Sequence, residues 1–268
     1  MTDNSILADK LRSGQPVVTG WCLLSAPMVP ELFARAGYEA VTLDMQHGMF
    51  DFDAAVDSLG LIALGGAHRI ARIPVADNAL AGRLIDMGAE CIIAPMINSR
   101  EEAEQFARAM KYPPMGERSW SPRRAATLAG QTDDEYLVNA NARTLALAMI
   151  ETQEAVDALD DILSVPELDG IFVGPSDLSL SLSKGSALDP NGPETARACA
   201  DIARKTIAAG KIAGIFCLSA EKVEEAVAQG YRLMSYGIDT VFIDHSARVS
   251  LKEAGAVALA GPGSKAGY

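Results

Sequence analysis

Residues 145–174 read LALAMIETQEAVDALDDILSVPELDGIFVG, and this stretch decides the fold. Two short runs of strand length, Leu145–Glu151 and Gly170–Gly174, flank the amphipathic segment Glu154–Leu163. Apolar residues fill both runs almost continuously, without the alternation of a strand that has one face in water. Such runs are typical of parallel strands covered on both faces. The stretch therefore predicts a strand–helix–strand unit with parallel strands.

The same unit repeats along the chain, because eight apolar runs alternate with longer segments of helical periodicity. We predict eight strands, at Val17–Leu23, Ala40–Asp44, Arg69–Ile73, Cys91–Pro95, Leu145–Glu151, Gly170–Gly174, Ile212–Cys217 and Leu233–Gly237. We predict eight helices, at Val29–Ala36, Phe52–Leu64, Leu80–Met87, Ser99–Met110, Glu154–Leu163, Pro193–Ala209, Ala220–Ala228 and Asp239–Ala260.

Eight repeats predict an α/β fold, a single (β/α)8 TIM barrel over residues 1–268. The alternative, a doubly wound open sheet, needs a glycine-rich nucleotide motif after its first strand, which Gly20–Leu23 lacks. Two segments, Lys111–Thr132 and Pro175–Gly192, are predicted as long loops. The second follows the C-terminal end of a strand, where barrel active sites lie. The Gly/Ser/Ala-rich tail 261–268 is expected to be frayed.

The charge balance excludes two classes of partner. Lys and Arg number 23 against 35 Asp and Glu, a net charge of −12 without any basic cluster, so binding to nucleic acid or to an anionic membrane is not expected. Residues 1–14 lack the apolar core of a signal peptide, and the chain has no apolar run long enough to span a membrane. The four cysteines form no CxxC pair, so we expect reduced cysteines and a cytoplasmic location.

Charged residues stand at the predicted C-terminal ends of several strands, where they are costly to desolvate unless they are paired or bound. Glu151 ends the fifth strand, and Asp177 follows the sixth. Carboxylates at the tops of neighbouring strands can share one hard cation, which predicts a site for Mg²⁺ or Mn²⁺. The alternative is that each carboxylate caps a helix. Zinc is not expected, because the sequence offers no His/Cys ligand set.

Two further residues are candidates for the chemistry. His47 lies three residues after Asp44, which ends the second strand, and that carboxylate could fix the imidazole tautomer of a general base. The alternative is an ordinary histidine in a surface loop. Arg72, near the end of the third strand, could stabilise an enolate oxygen. Its alternative is a salt bridge to Asp44 or Glu151.

Other catalytic chemistries are absent from the sequence, which has no GxSxG elbow, P-loop or HExxH motif. All lysines fall on predicted helices, in loops or at strand starts, so a Schiff-base mechanism is not expected.

An ordered set of motifs from Gly20 to Asp239 resembles the HpcH/HpaI aldolase family of class II, metal-dependent pyruvate aldolases. The motifs are Gly20-Trp21, Asp44-x-Gln46-His47-Gly48, Arg72, Tyr112-Pro113-Pro114-x-Gly116-x-Arg118, Ile150-Glu151-Thr152 and Gly174-Pro175-Ser176-Asp177-Leu178-Ser179.

The resemblance implies a barrel whose last helix is exchanged between subunits of a homohexamer, a trimer of dimers. It further implies that Glu151 and Asp177 hold Mg²⁺, Mn²⁺ or Co²⁺ and that Arg72 contacts the 2-oxo oxygen. The remaining implied roles are proton transfer for the Asp44/His47 pair, a reach into the neighbouring subunit's site for Asp86, and carboxylate binding by backbone amides around Gly174 and Ser176.

The sequence departs from the family pattern at two places. Met149 stands where many members have a glutamine, two residues before the metal-binding glutamate. Ser119-Trp120-Ser121 replaces a glycine-containing turn after the double proline. We therefore expect a different preference among acceptor aldehydes.

The sequence thus predicts a lyase that reversibly cleaves a 4-hydroxy-2-oxoacid to pyruvate or hydroxypyruvate plus an aldehyde, through a metal-stabilised enolate. Trp21, Arg118 and Phe216 are expected to contact the substrate. Two alternatives remain at this point: an acyl-CoA C–C lyase on a related barrel, and a non-catalytic oxoacid-binding protein.

Overall fold

The computed structural model describes residues 6–253 and contains a closed barrel of eight parallel strands in chain order. The (β/α)8 prediction is confirmed, and each predicted strand matches an observed one within one or two residues at its ends. The strands are β1 Val17–Cys22, β2 Ala40–Asp44, β3 His68–Arg72, β4 Cys91–Ala94, β5 Leu145–Ile150, β6 Gly170–Val173, β7 Ile212–Phe216 and β8 Leu233–Ile238.

Helices surround the barrel and close one end of it. They are α1 Leu7–Arg12, α2 Met28–Ala36, α3 Phe52–Leu64, α4 Asn78–Asp86, α5 Arg100–Met110, α6 Arg123–Leu128, α7 Asp133–Arg143, α8 Gln153–Asp157, α9 Leu159–Leu163, α10 Pro175–Leu182, α11 Pro193–Ala208, α12 Ala220–Gln229 and α13 Asp239–Glu253.

Three sequence predictions about helices were wrong in detail. The predicted helix Glu154–Leu163 is two short helices, α8 and α9, which meet at Ala158. The predicted loop Lys111–Thr132 contains α6. The predicted loop Pro175–Gly192 begins with α10, because Pro175 fits the first turn of a helix and the serine-rich sequence after it continues that helix.

The inside of the barrel holds its own apolar cluster, separate from the one between strands and helices. Val17, Ile93, Leu147 and Phe172 point into the barrel, and α1, which the sequence did not predict, packs against this cluster from the N-terminal end of the strands. A layer of small polar side chains lies above, where Thr19 and Thr42 share a hydrogen bond of 2.8 Å. The barrel is therefore a packed core that opens only at the C-terminal ends of its strands.

Local capping fixes where the surrounding helices begin and end. The Asp51 side chain accepts the Ala54 N–H at 2.8 Å at the start of α3. Ser99 and Glu102 form a reciprocal capping box at the start of α5. Gly37 ends α2 with a φ of 106°, in the left-handed region that favours glycine.

The last predicted helix is confirmed as far as Glu253; its remainder and the tail 261–268 lie outside the described residues. The prediction that all 268 residues form one domain stays a prediction. None of the helices within residues 6–253 has the length and apolar character needed to cross a membrane.

Candidate active site

A cavity of about 370 Å³ opens at the C-terminal end of the barrel. Six strands, the helix α10 and the loops that follow these elements contribute to its wall. The lining residues are Trp21, Leu23, Asp44, His47, Arg72, Met149, Gly174, Pro175, Ser176, Asp177, Leu180, Leu188, Phe216, Leu218 and Ile238.

A buried ion pair between Asp44 and Arg72 forms one side of the cavity. Arg72 donates from Nε to Asp44 Oδ1 at 3.0 Å and from Nη2 to Oδ2. Burial alone would raise the pKa of Asp44, but the hydrogen bond and charge of Arg72 outweigh it and lower this pKa. The salt bridge that the sequence left as an alternative role for Arg72 therefore exists. It engages two of the three guanidinium nitrogens, so Nη1 stays available to a ligand.

Trp21 fixes the position of this pair. Its indole Nε1 donates to Asp44 Oδ2 at 3.1 Å, and the Arg72 guanidinium carbon lies 5.1 Å from the centre of its ring. The ring of Phe216 meets Trp21 edge-on with centroids 5.1 Å apart. Trp21 and Phe216, both expected to contact substrate, thus join the Asp44–Arg72 pair at the cavity.

His47 projects from a tight turn that Asp44 also organises. Asp44 Oδ1 accepts the backbone N–H of Gln46 at 3.0 Å and of His47 at 3.1 Å. A Cβ atom on Gly48 would lie 2.1 Å from the carbonyl oxygen of Asp44, so only glycine fits there. The imidazole itself is exposed on the cavity, and among the described residues no hydrogen bond joins it to Asp44. The predicted contact between ring and carboxylate is thus replaced by a contact to the backbone.

Glu151 directly follows β5 and is buried. Its Oε1 accepts the backbone N–H of Met96 at 2.8 Å. Burial raises the pKa of Glu151 to about 7; the charge of Asp177 adds to the rise, while the Met96 N–H and the charge of Arg72 oppose it. Asp177 lies in the first turn of α10 and is exposed. The two predicted ligands are therefore close enough for their charges to interact, and neither is the N-cap residue of a helix.

The donors at this point suit a hard cation. Between residues 6 and 253 no cluster of three or more His, Cys, Asp and Glu side chains is assembled; the carboxylates that could hold a cation here are Glu151 and Asp177. Mg²⁺ and Mn²⁺ accept such a set, completing their coordination with water and substrate oxygens. Because Gly174 has no side chain, there is space next to the Glu151 carboxylate: a Cβ atom on Gly174 would lie 2.7 Å from Glu151 Oε2 and 2.7 Å from Met149 Cε. The residues present fit a divalent cation.

The turn from β6 into α10 supplies hydrogen-bond donors. The Gly174 N–H is committed to the Ile150 carbonyl at 3.3 Å, and Pro175 has no N–H. The N–H groups of Ser176 and Asp177, in the first turn of α10, have no intrahelical acceptors. Ser176 and Asp177 are therefore the available amides, and Gly174 contributes space.

Two predicted site residues lie elsewhere in the single chain. Arg118 donates from Nε to Asp86 Oδ1 at 3.1 Å, and its guanidinium carbon lies 4.3 Å from the centre of the Tyr112 ring. Both residues line a different cavity, between α4 and α5, together with Gln105. The pKa of Asp86 is raised, because the effect of burial is larger than the opposing effect of the hydrogen bond and charge of Arg118. One chain alone does not bring Asp86 or Arg118 to the cavity that holds Arg72.

Two other charged or titratable residues near strand ends, Asp239 and His68, have structural contacts. Asp239 Oδ2 accepts the N–H groups of Leu23 at 2.9 Å and Leu24 at 2.8 Å, which ties the end of β1 to α13. His68 lies 3.3 Å from Glu90 at the opposite end of the barrel.

Two leucines at the rim of the cavity, Leu180 and Leu188, were not predicted as site residues from the sequence. Leu180 lies three residues after Asp177 on α10, so the two share a helical face, and this spacing was the available signal. Leu188 follows α10 in an irregular segment, and its sequence carried no comparable signal.

Comparisons with known proteins agree with this geometry. A model of the HpcH/HpaI aldolase/citrate lyase family matches residues 18–246. A hydroxypyruvate/pyruvate aldolase of Rhizorhabdus wittichii is 39% identical over 244 residues, which cover 91% of this chain and 96% of the relative. A 2-keto-3-deoxy-L-rhamnonate aldolase of Escherichia coli is 29% identical over 87% of this chain and 86% of its own. The crystal structure of an HpcH/HpaI aldolase from Desulfitobacterium hafniense superposes with a TM-score of 0.85 at 26% identity, over 96% of this chain and 99% of that one.

Proposed function

The chain belongs to the HpcH/HpaI aldolase/citrate lyase family, and on this basis we propose a specific reaction and cofactor for it. The protein is an aldolase that reversibly cleaves 4-hydroxy-2-oxoacids to pyruvate or hydroxypyruvate plus an aldehyde. Its cofactor is Mg²⁺ or Mn²⁺, with Co²⁺ as a further option. The names of the relatives support both the activity and the two donors. The single observation that carries the proposal is that Asp177 and Arg72 line one cavity at the C-terminal end of the barrel and that the charges of both act on the buried Glu151 carboxyl next to it.

Glu151 and Asp177 would hold the cation. When bound, the cation supplies Lewis acidity that polarises the 2-oxo group of the donor and acidifies its neighbouring C–H. Arg72, oriented by Asp44, directs Nη1 at the 2-oxo oxygen and stabilises the negative charge that develops there. The free amides of Ser176 and Asp177 bind the donor's carboxylate.

His47 is the group placed to move the proton. It is exposed on the cavity, and the turn held by Asp44 sets its position. In the synthetic direction, the proton leaves C3 of pyruvate, the electron pair of that C–H bond forms the new bond to the aldehyde carbon, and the aldehyde oxygen gains a proton as the new hydroxyl. His47 or a water next to it serves both transfers, so no oxidant or further reactant is needed.

An assay of metal dependence tests this function. Incubation with EDTA should abolish the aldehyde-dependent consumption of pyruvate, and Mn²⁺ or Mg²⁺ should restore it, with the 4-hydroxy-2-oxoacid identified by mass. Covalent trapping of pyruvate by borohydride would instead indicate an imine at a lysine and would overturn the metal mechanism. Tight binding of pyruvate or oxalate without turnover would point to the non-catalytic alternative.

We also propose a homohexamer, a trimer of dimers that exchanges α13. All side chains from Val241 to Glu253 are exposed, and among them are several large apolar ones. They are Val241, Phe242, Ile243, Val249 and Leu251. The Phe242 ring stacks on Phe33 of its own chain with centroids 5.7 Å apart, but a helix that leaves this many large apolar side chains exposed is typical of one that packs against another subunit. In this assembly Asp86 and Arg118 would reach the site of a neighbouring subunit, and light scattering would measure six subunits.

A cytoplasmic location is the last part of the proposal. All four cysteines are buried and free, as is usual where thiols stay reduced.

A further inference from the structure

Around the closed barrel, the lining of the cavity changes from polar to apolar. β2 and β3 contribute Asp44 and Arg72, and the start of α10 contributes Ser176 and Asp177. The remaining arc runs from α10 through the ends of β7, β8 and β1, which are consecutive neighbours in the barrel. We call this arc the apolar wall; its members are Leu23, Leu180, Leu188, Phe216, Leu218 and Ile238.

The side chains of the apolar wall are partly exposed to water. Leu188 is 60% exposed and Leu180 is 42% exposed. The other members, Leu23, Phe216, Leu218 and Ile238, are half-buried. A single exposed leucine needs no explanation, but six apolar side chains that line one cavity are typical of a site that buries an apolar ligand.

The donor oxoacid leaves this wall unfilled. Its carboxylate and oxo oxygens require the polar side of the cavity, where Arg72 and the free amides of Ser176 and Asp177 lie. What faces the apolar wall is therefore the chain of the acceptor. The side chains of the wall carry no hydrogen-bonding group, so a hydroxyl placed against them loses its bonds to water without replacement. Met149, where a glutamine would offer an amide, extends the apolar lining at the base.

From this division we infer that the preferred acceptor is an aldehyde with an apolar aliphatic chain, not a hydroxylated, sugar-like aldehyde. The inference rests on the proposed aldolase function and specifies its acceptor. Each methylene that the wall removes from water should raise kcat/KM by roughly fourfold until the wall is filled. Each hydroxyl should lower it by about tenfold relative to the chain of the same length.

The test measures kcat/KM of the metal-loaded enzyme with pyruvate and two series of aldehydes. The first series is ethanal, propanal, butanal and pentanal; the second is glycolaldehyde and glyceraldehyde, matched to ethanal and propanal in length. We expect a rise along the first series and values at least tenfold lower in the second. A flat or falling first series, or hydroxylated aldehydes that equal their matched partners, would overturn the inference.

Two variants test whether the dependence of kcat/KM on aldehyde chain length arises from the apolar wall. Leu188→Asn should reduce the slope of log kcat/KM against the chain length of the aldehyde. The reduction should come mainly from a higher KM for pentanal and only to a smaller extent from a lower kcat. Leu64→Asn is the matched control, because Leu64 is 79% exposed on α3 and does not line the cavity; its slope should equal that of the parent. An unchanged slope in Leu188→Asn would contradict the assignment.

The parent enzyme decides the inference even where a variant folds poorly, since the aldehyde series needs no substitution. Failure of the inference and failure of the proposed function are also distinguishable. If the chain is not an aldolase, no aldehyde in either series is consumed with pyruvate. If only the inference fails, turnover persists with a different order of acceptors.

Discussion

Asp44 and Arg72 stand directly opposite each other in the register of β2 and β3. This register lets the guanidinium donate to both carboxylate oxygens at the mouth of the barrel, within a site that is almost completely buried. The pair needs no loop to assemble it, because two adjacent strands of fixed register carry it. The same carboxylate also holds Trp21 and the turn of His47, so one side chain orients three other components of the site.

The first prediction concerns the energy of this pair. Arg72→Met should lower the free energy of unfolding by about 3–5 kcal/mol, because it leaves the Asp44 carboxylate buried without its counterion. The double variant Asp44→Asn/Arg72→Met should be more stable than Arg72→Met, since it removes the unpaired charge. Urea denaturation of the four proteins of this cycle measures both effects.

A surface pair provides the control for that cycle. Asp201 and Arg204 lie 2.9 Å apart with side chains about 70% exposed, and Arg204→Met should cost no more than about 1 kcal/mol. A double variant that is no more stable than Arg72→Met would contradict the account of Asp44.

The second prediction concerns proton transfer. His47→Ala should lower kcat by about 10²–10⁴ with little change in unfolding free energy, because the imidazole is exposed on the cavity. Asn139→Ala, which removes an exposed polar side chain from α7, should keep the activity of the parent. Steady-state kinetics with pyruvate and propanal provide the measurement. Full activity of His47→Ala would remove this residue from the mechanism.

The third prediction tests why Gly174 has no side chain. Gly174→Ala should weaken Mn²⁺ binding by tenfold or more, because the new methyl group would collide with Glu151 Oε2 and Met149 Cε. Isothermal titration with Mn²⁺ measures this affinity without any turnover. Gly82→Ala is the control, since its Cβ would find its nearest neighbour at 3.4 Å. Equal affinities in both variants would show that the space beside Glu151 is not needed.

The fourth prediction concerns pH-dependent stability at the other end of the barrel. Burial alone would raise the pKa of Glu90, but the charge of Arg69 and the contact with His68 outweigh it and lower the pKa to about 2. Because the folded pKa lies below the unfolded one, this carboxylate stabilises the fold fully above about pH 4.5 and loses that contribution as the pH falls toward 2.

Glu90→Gln should therefore cost about 2–3 kcal/mol at pH 7 and progressively less below pH 4.5. Denaturation curves between pH 3 and 7 check the trend, with the exposed Asp201→Asn as a control of small, nearly constant effect. A difference between Glu90→Gln and the parent that grows as the pH falls would show that the sign is wrong.

Much of this site could be predicted from the sequence, because the C-terminal ends of all strands in a (β/α)8 barrel lie close together at one end of the barrel. Asp44, Arg72 and Glu151 each end or follow an apolar run, so the fold alone brings them to the C-terminal end of the barrel. Strand position could not decide between a free and a paired Arg72, since that depends on the register of β2 and β3. The position of Leu188 at the cavity could not be predicted from the sequence either, because the path of its loop follows from tertiary packing and not from a periodic pattern.

The ion pair between Asp86 and Arg118 is another contact that could not be predicted from the sequence. The two residues are 32 positions apart, on α4 and in the segment after α5, and no periodicity of the sequence relates them. Their position outside the main cavity follows from helix packing around the barrel. A chain that assembles with copies of itself can place such residues in a partner's site, which a single sequence does not encode in any local pattern.

Anomalous diffraction from crystals soaked in Mn²⁺ tests the central claim most directly, namely that Glu151 and Asp177 hold a divalent cation in the cavity that Arg72 lines. The account predicts one strong anomalous peak between these two carboxylates in the parent protein and its loss in Glu151→Gln. A cavity without such a peak, or a peak that persists at full strength in Glu151→Gln, would contradict the account.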